Sequence, residues 1–221
     1  MEHFEVLQRA VPLLLEWYRV FQRTLPWRGT HDPYKIWVSE IMLQQTRVEA
    51  VKDYYIRFLQ RFPTAEALAA ADEEEVLKAW EGLGYYSRAR NLHKAAKIIA
   101  KQGFPTSYEG VRALPGVGDY TAGAILSIAY EQPCPAVDGN VLRILTRLLA
   151  DDTNIVRSGA KETFAALLRE VYPKEAGEFC QALMELGALV CLPGGEPQCL
   201  VCPWRELCRA RLQGEWERYP V

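Results

Sequence analysis

One short segment, residues 114–124, constrains the fold more than any other part of this 221-residue chain. It reads Leu-Pro-Gly-Val-Gly and then Asp-Tyr-Thr-Ala-Gly-Ala, so an apolar stretch ends in a tight turn and a helix of small residues begins at about Asp119. The first backbone N–H groups of a helix have no partner within that helix, and they form an anion site of phosphate size. The segment predicts a phosphate-binding hairpin between two helices, although an ordinary glycine turn has a similar composition.

Apolar residues recur at helical spacing along nearly the whole chain, and the alternation typical of strands is scarce. The sequence therefore predicts an all-α fold, with helices separated by proline, glycine and capping residues. Their predicted ranges are about 5–23, 33–43, 47–61, 64–70, 72–80, 86–102, 107–113, 119–129, 139–150, 159–171 and 176–190. Thr64 and Asp72 are predicted N-caps, and Pro12 predicts a kink or a restart in the first helix.

Charge is distributed unevenly, although the formal net charge is only −2. Residues 66–81 hold six acidic side chains and one lysine, whereas residues 86–101 hold five basic side chains and no acid. A basic helix suits a nucleic-acid backbone, and a solvated helix face commonly has the same composition. Apolar runs are too short for a membrane span and the N-terminus lacks a secretory signal, so we expect a cytoplasmic protein without a membrane partner.

Four of the six cysteines lie close together near the C-terminus. Cys191, Cys199, Cys202 and Cys208 form the pattern C-x7-C-x2-C-x5-C. This spacing favours a [4Fe–4S] cluster, because zinc sites more often combine two close cysteine pairs. Zinc and unligated or disulfide-bonded thiols remain the alternatives. The other two, Cys134 and Cys180, are expected to be small buried apolar residues.

Two carboxylates, Glu40 and Asp138, lie at positions that would suit acid–base or electrostatic catalysis. Glu40 follows Ile36 by four residues and Trp37 by three, so it shares their apolar helix face, where its carboxyl group should be desolvated. Desolvation raises the pKa of a carboxyl group and suits a general acid near neutral pH. Asp138 precedes a predicted helix and is expected to be its N-cap, which by itself requires no catalytic role.

Four further motifs occur at residues 25–28 (LPWR), 38–47 (VSEIMLQQTR), 82–92 (GLGYYSRARNL) and 137–141 (VDGNV). Together with the hairpin and the cysteine loop, they resemble the MutY family of adenine DNA glycosylases within the endonuclease III superfamily. That family excises adenine mispaired with 8-oxoguanine or guanine. The resemblance implies two helical subdomains: residues 28–135 with a helix-hairpin-helix at 114–124, and residues 1–27 plus 136–221 with an iron–sulfur loop at 191–208.

The resemblance also assigns roles to the catalytic residues. Glu40 is the general acid that protonates N7 of adenine, and Asp138 is the ionised carboxylate that stabilises or traps the oxocarbenium ion. Asn140 orients Asp138 or a water molecule. Tyr120 stands where bifunctional relatives have a Schiff-base lysine, and because tyrosine has no amine the enzyme is expected to be monofunctional.

Binding residues follow from the same resemblance. Gln45 and Tyr85 are expected to insert into the base stack once the target base is flipped out. The wider DNA-binding set is Gln45, Thr46, Gly84, Tyr85, Gly116 and Gly118, and the adenine-pocket set is Trp27, Arg28, Leu43 and Gln181. The four cysteines hold the [4Fe–4S] cluster, which is expected to face DNA because Arg205, Arg209 and Arg211 crowd its last loop.

The expected partner is double-stranded DNA with an A:8-oxoguanine or A:G mismatch, bound by a monomer associated with the nucleoid. Two alternatives remain: a thymine or uracil mismatch glycosylase of the same superfamily, and a non-enzymatic iron–sulfur DNA-binding protein. The chain departs from the family pattern at the first cysteine gap, which has seven residues instead of six. It also ends at Val221, before the family's 8-oxoguanine-reading domain, so we expect a longer parent protein.

Overall fold

The computed structural model describes residues 2–221, and within that range it contains helices and no strand. The helices are α1 Glu2–Phe21, α2 Pro33–Leu43, α3 Val48–Arg61, α4 Ala65–Ala70, α5 Glu73–Trp80, α6 Tyr86–Gln102, α7 Tyr108–Arg112, α8 Asp119–Tyr130, α9 Gly139–Leu149, α10 Ala160–Val171, α11 Ala176–Leu189 and α12 Arg209–Gln213. Short 3₁₀ turns occur at Cys199–Val201 and Trp216–Arg218. The all-α prediction is confirmed.

Helix boundaries follow the predicted start signals closely. Thr64 caps α4 by accepting a hydrogen bond from the backbone N–H of Ala67. Asp72 occupies the N-cap position of α5, but its side chain makes no capping bond. Three glutamates in the first turn of α5 interact favourably with the helix dipole, so the helix begins there without a side-chain cap. Pro12 lies within an uninterrupted α1, so the predicted restart is wrong.

The chain divides into two compact units. Unit 1 comprises the residues up to Arg23 together with Glu131–Val221, and unit 2 comprises Thr24–Tyr130. The core of unit 1 joins α1, α9, α10 and α11, and Trp204 from the cysteine loop is buried in it. The indole Nε1 of Trp204 donates to the carbonyl of Ala10 at 2.8 Å, which fixes the cysteine loop on α1.

Unit 2 is built around aromatic side chains. Phe58 makes edge-on contacts with Phe62 and Trp80, and Trp37 is completely buried in α2. Apolar residues of α8 complete this core, so the helix that follows the hairpin is anchored along most of its length. None of the helices in the described part of the chain has the length and apolar character needed to cross a membrane.

Candidate active site and DNA-binding residues

The predicted hairpin is a helix-hairpin-helix formed by α7, the turn at residues 113–118 and α8. Gly116 has a φ of +79°, a conformation that glycine adopts without strain. Gly116 and Gly118 are exposed, and α8 begins immediately after them. Arg112 donates to the Asp119 carboxylate at 2.6 Å and to the Val117 carbonyl at 3.0 Å. The hairpin therefore presents the N-terminus of a helix whose only first-turn acid is paired with an arginine.

We expect Gly116→Ala to destabilise the protein by about 1–3 kcal/mol, because alanine is strained at this φ. A Cβ atom at Gly116 would also lie 2.9 Å from Cβ of Asn91 on α6. Gly118→Ala is the matched control, since its φ is not positive and a Cβ there would meet no atom within 4 Å. Urea denaturation of both variants measures the difference. Equal stabilities would show that the turn does not require glycine at position 116.

In unit 2, α2 carries the predicted site residues Glu40 and Leu43 near its C-terminal end. Asp32 caps the helix by accepting from the N–H groups of Tyr34 and Lys35, and Pro33 occupies the first turn. Glu40 is half-buried, as is Leu43, although their neighbours Ser39, Ile41 and Met42 are buried. Thr46 follows in the turn after α2, where its N–H donates to the Leu43 carbonyl at 3.3 Å. Glu40 therefore lies at the edge of the core.

Gln45 and Tyr85, the two predicted insertion residues, both have left-handed backbone conformations, with φ values of 55° and 49°. Tyr85 is 65% exposed and Gln45 is also exposed. Gly84 precedes Tyr85 in the turn that leads into α6. The side chain of Arg88 connects the two turns through hydrogen bonds to Gln44 and Gly84. Within unit 2, Arg88 thus connects the turns that carry the two predicted insertion residues.

The remaining predicted residues of unit 2 occupy different positions in it. Trp27 is buried and packs edge-on against Tyr55, with ring centroids 5.6 Å apart. Arg28 is half-buried, and its N–H donates to the Leu25 carbonyl at 3.0 Å. Tyr120 is half-buried in the first turn of α8. Trp27 therefore contributes to the core of unit 2.

In unit 1, Asp138 caps α9 with both carboxylate oxygens engaged. Its Oδ1 accepts from the N–H of Val141 at 2.9 Å, and its Oδ2 accepts from Nδ2 of Asn140 at 2.9 Å. The N-cap prediction is confirmed. The positive end of the helix dipole and the two hydrogen bonds interact favourably with a negative charge at this position. Asn140 and the helix together fix the orientation of a negative charge.

Arg143 extends this arrangement toward the cysteine loop. Its Nη2 donates to Oδ1 of Asn140 and to the Gly187 carbonyl, and its Nε donates to the Cys191 carbonyl, each at 2.9 Å. Burial lowers the pKa of Arg143 from its usual value, but an arginine remains charged. A continuous chain of hydrogen bonds therefore runs from the carboxylate of Asp138 to the backbone of the first loop cysteine.

Gln181, predicted to contact adenine, lies half-buried on α11 of unit 1. Its Oε1 accepts a hydrogen bond from the hydroxyl of Tyr18 on α1 at 2.9 Å. With the carbonyl oxygen engaged, the amide nitrogen of Gln181 is oriented away from Tyr18. The side chain consequently presents a hydrogen-bond donor on its other side.

The four loop cysteines all line one small, partly open cavity. Its other lining residues include Arg147, Arg205, Arg211 and Trp216. Burial raises the pKa of Cys202 to about 12 and that of Cys208 to about 11, with smaller contributions from the neighbouring sulfurs. Within the described residues, no group of three or more His, Cys, Asp or Glu side chains is arranged to hold a single metal ion.

Arg147 is the main polar partner of this loop. Its Nη1 donates to Sγ of Cys191 at 3.3 Å and to the Leu192 carbonyl at 2.9 Å, and its own carbonyl accepts from Sγ of Cys208 at 3.3 Å. Its guanidinium also lies over the ring of Trp216. A cationic side chain with these contacts suits a cavity that holds thiolate sulfur.

The remaining cysteines and the loop arginines differ partly from expectation. Cys180 is buried, as predicted, whereas Cys134 is half-exposed, so the prediction of burial is wrong for Cys134. Arg209 pairs with Glu2 at 2.6 Å, and Arg205 pairs with Glu206 at 2.7 Å. These ion pairs reduce the positive charge that the loop offers to DNA.

The burial and the structural hydrogen bonds of three arginines were not predicted from the sequence. Arg88, Arg143 and Arg147 are buried and bond mainly to backbone carbonyls. A signal existed for Arg88, because it precedes the buried residues Leu92, Ala95 and Ile99 by four, seven and eleven residues. Helical periodicity therefore places it on the core face and not with the exposed basic residues of α6.

Residues 38–173 match the family described as HhH-GPD superfamily base excision DNA repair protein. The chain belongs to this superfamily. The matched region contains the hairpin, Glu40, Asp138 and Asn140, which are the features described above in the two units. A thermostable thymine-DNA glycosylase has a similar structure, with a TM-score of 0.83 and 26% sequence identity over 95% of this chain and 98% of that one.

Several sequence relatives of the chain are named adenine DNA glycosylase. The protein from Mus musculus is 47% identical over 212 residues, which cover 89% of this chain and 41% of the relative. The protein from Buchnera aphidicola subsp. Baizongia pistaciae is 41% identical over 207 residues, covering 91% of this chain and 58% of the relative. The chain therefore spans about half the length of the curated relatives it matches.

Proposed function

We propose that this protein is a DNA glycosylase that hydrolyses the N-glycosidic bond of adenine mispaired with 8-oxoguanine or guanine. The observation that carries the proposal is the fixed carboxylate of Asp138, which is held by Asn140 and by the N-terminus of α9. A fixed negative charge stabilises the oxocarbenium ion that forms as the base departs. The identity of the base is supported by relatives that are named adenine DNA glycosylase.

Glu40 supplies the proton in this proposal. Adenine is a poor leaving group as an anion, and protonation at N7 makes it a better one. The half-buried position of Glu40 at the edge of the core supports this role, because the carboxyl group has restricted solvation but remains accessible. Tyr120 has no amine and cannot form a Schiff base, so the proposed reaction ends with base release and leaves the strand intact.

DNA binding uses the helix-hairpin-helix and the two turns of unit 2. The N-terminus of α8 and the exposed Gly116 and Gly118 offer backbone N–H groups to a phosphate. Gln45 and Tyr85 fill the space left by the flipped base. Unit 1 contains one residue proposed to contact adenine, Gln181, and unit 2 contains three, which are Trp27, Arg28 and Leu43.

The cysteine loop fits a [4Fe–4S] cluster, with Cys191, Cys199, Cys202 and Cys208 as its ligands. In such a cluster each thiolate binds a different iron atom, so the ligands stand around a cavity, as they do here. When bound, the cluster supplies a structural cross-link between the four cysteines. Arg143 connects this loop to Asn140, because its Nε donates to the Cys191 carbonyl and its Nη2 donates to Oδ1 of Asn140.

We expect purified protein to contain about four iron atoms per chain, and Cys202→Ser to lose most of them. Cys134→Ser is the control, because Cys134 lies outside the loop, and it should retain the iron. Iron and zinc are measured together by elemental analysis. One zinc and no iron would replace the cluster proposal with a zinc site, and full iron in Cys202→Ser would exclude this cysteine as a ligand.

A panel of duplexes tests the proposed activity. Each duplex carries one A:8-oxoguanine, A:G, T:G or U:G pair, and chromatography identifies the released base. We expect adenine from the first two duplexes, and strand cleavage only after added alkali. Release of thymine or uracil instead would support the second candidate, a pyrimidine mismatch glycosylase, which the similarity to a thermostable thymine-DNA glycosylase favours. Binding without any release would indicate a non-enzymatic protein.

A further inference from the structure

Arg88 of unit 2 has an unusual set of hydrogen-bond partners. Its Nη1 donates to the carbonyls of Ile41, Met42 and Gln44 at distances of 3.1, 3.0 and 2.6 Å. Its Nη2 donates to Oγ1 of Thr46 and to the carbonyls of Leu83 and Gly84 at distances of 3.2, 2.9 and 3.2 Å. The guanidinium therefore joins the end of α2 and its following turn to the turn that precedes α6.

All six acceptors are neutral oxygens, although the arginine is only 9% exposed. A buried cation without a carboxylate partner is unfavourable unless other groups compensate the charge. Compensation comes from the last carbonyls of α2, where the helix dipole is negative, and from the rings of Trp80 and Tyr85 at 5.4 and 5.6 Å from Cζ. The planar fork of five N–H donors is specific to arginine, so lysine cannot reproduce this contact.

The two joined turns carry the strained residues of this region. Gln45 and Tyr85 are non-glycine residues at positive φ, a conformation that persists only where the surrounding structure enforces it. Gln45 lies directly between Gln44 and Thr46, both of which bond to Arg88. Tyr85 follows Gly84, which also bonds to Arg88. One guanidinium thus holds the backbone carbonyl just before Gln45, the side chain of Thr46 just after it, and the backbone carbonyl just before Tyr85.

We propose that Arg88 is a positioning residue that holds the two base-stack insertion turns at one fixed spacing before DNA binds. The proposal rests on the proposed function, in which Gln45 and Tyr85 insert into mismatched DNA. Ordering two turns during binding would reduce affinity for the distorted duplex, and prior ordering removes that reduction. Because Arg88 is buried and bonded only within the protein, it contributes to mismatch recognition without touching DNA.

Hydrogen exchange of the wild-type protein, measured without DNA, tests whether Arg88 holds the two turns together. The amides of Thr46 and Leu83 each bond within their own turn, to the carbonyls of Leu43 and Trp80. If one guanidinium holds both turns, the two amides should lose protection in a single opening event with the same dependence on low denaturant concentration. Independent opening of the two amides in the wild-type protein would overturn the proposal, whether or not any variant folds.

Arg88→Lys then tests the role in recognition. We expect both amides to exchange at least about 10-fold faster, and the ratio of affinities for A:G and fully matched duplexes to fall about 10-fold, with matched-duplex affinity unchanged. Arg90→Lys is the control on the same helix, because Arg90 is exposed and bonds to Glu73 at 3.3 Å. It should match the wild type in every measurement.

The outcomes separate the two proposals. If wild-type protein neither prefers the mismatch nor releases a base, the proposed function fails, and the exchange data still decide whether Arg88 joins the turns. If Arg88→Lys loosens both turns but keeps the full mismatch preference, the recognition role is overturned. Equal loss of affinity for matched and mismatched duplexes would also overturn it, because that result indicates general damage to the DNA-binding surface.

Discussion

Asp138→Asn should reduce adenine release by at least about 10³-fold while leaving mismatch binding intact. Asparagine retains a side-chain oxygen that can accept from the Val141 N–H, so α9 keeps its cap and the fold is preserved. The substitution removes the negative charge that, in the proposed mechanism, stabilises the oxocarbenium ion. Single-turnover excision from an A:G duplex measures the loss, and equilibrium binding of the same duplex measures the retained affinity.

Asp32→Asn provides the matched control for this experiment. Asp32 is also an N-cap aspartate, and its Oδ1 accepts from the N–H groups of Tyr34 and Lys35. The same chemical change at a purely capping position should leave the excision rate near that of the wild type. If Asp138→Asn and Asp32→Asn have similar activities, Asp138 acts only as a helix cap.

Glu40→Gln should slow excision by at least about 10²-fold, because glutamine keeps the shape of the side chain but cannot deliver a proton. Single-turnover excision from an A:G duplex measures this loss, and equilibrium binding of the same duplex should be unchanged.

Glu66→Gln is the control for Glu40, because Glu66 lies in the first turn of α4 and is exposed to solvent. Its excision rate should match that of the wild type. If Glu40→Gln also has the activity of the wild type, Glu40 is not the general acid and its role is only structural.

Most of the helical fold could be predicted because its signals are local. All of the predicted helices occur, and α2 and α6 have the predicted bounds of 33–43 and 86–102. Proline, glycine and capping residues act within a few positions of a helix end, so one sequence contains the information. The short α12 was not predicted, since five residues show little more than one helical turn of periodicity.

Candidate site residues could be proposed from the sequence only where the side chain itself carries a reactive group. Glu40, Asp138 and the four loop cysteines are residues of this kind, and their roles stay predictions. Arg88 and Arg143 instead act through backbone carbonyls from elements 40 or more residues away in sequence. Any sequence offers such carbonyls at every position, so only the folded structure shows which of them an arginine meets.

Unit 2 interrupts unit 1, and one helix of unit 1 secures both ends of the interruption. Arg23, the last residue before unit 2, donates from its backbone N–H and its guanidinium to the fully buried Glu185 on α11. Glu131, the first residue after unit 2, accepts from the N–H of Gly177 on the same helix at 2.9 Å. Gly177 and Glu185 are separated by roughly 12 Å along α11 at 1.5 Å per residue. A single helix of unit 1 therefore binds the chain both where it leaves for unit 2 and where it returns, so α11 joins the two sequence segments of unit 1 on either side of the insertion.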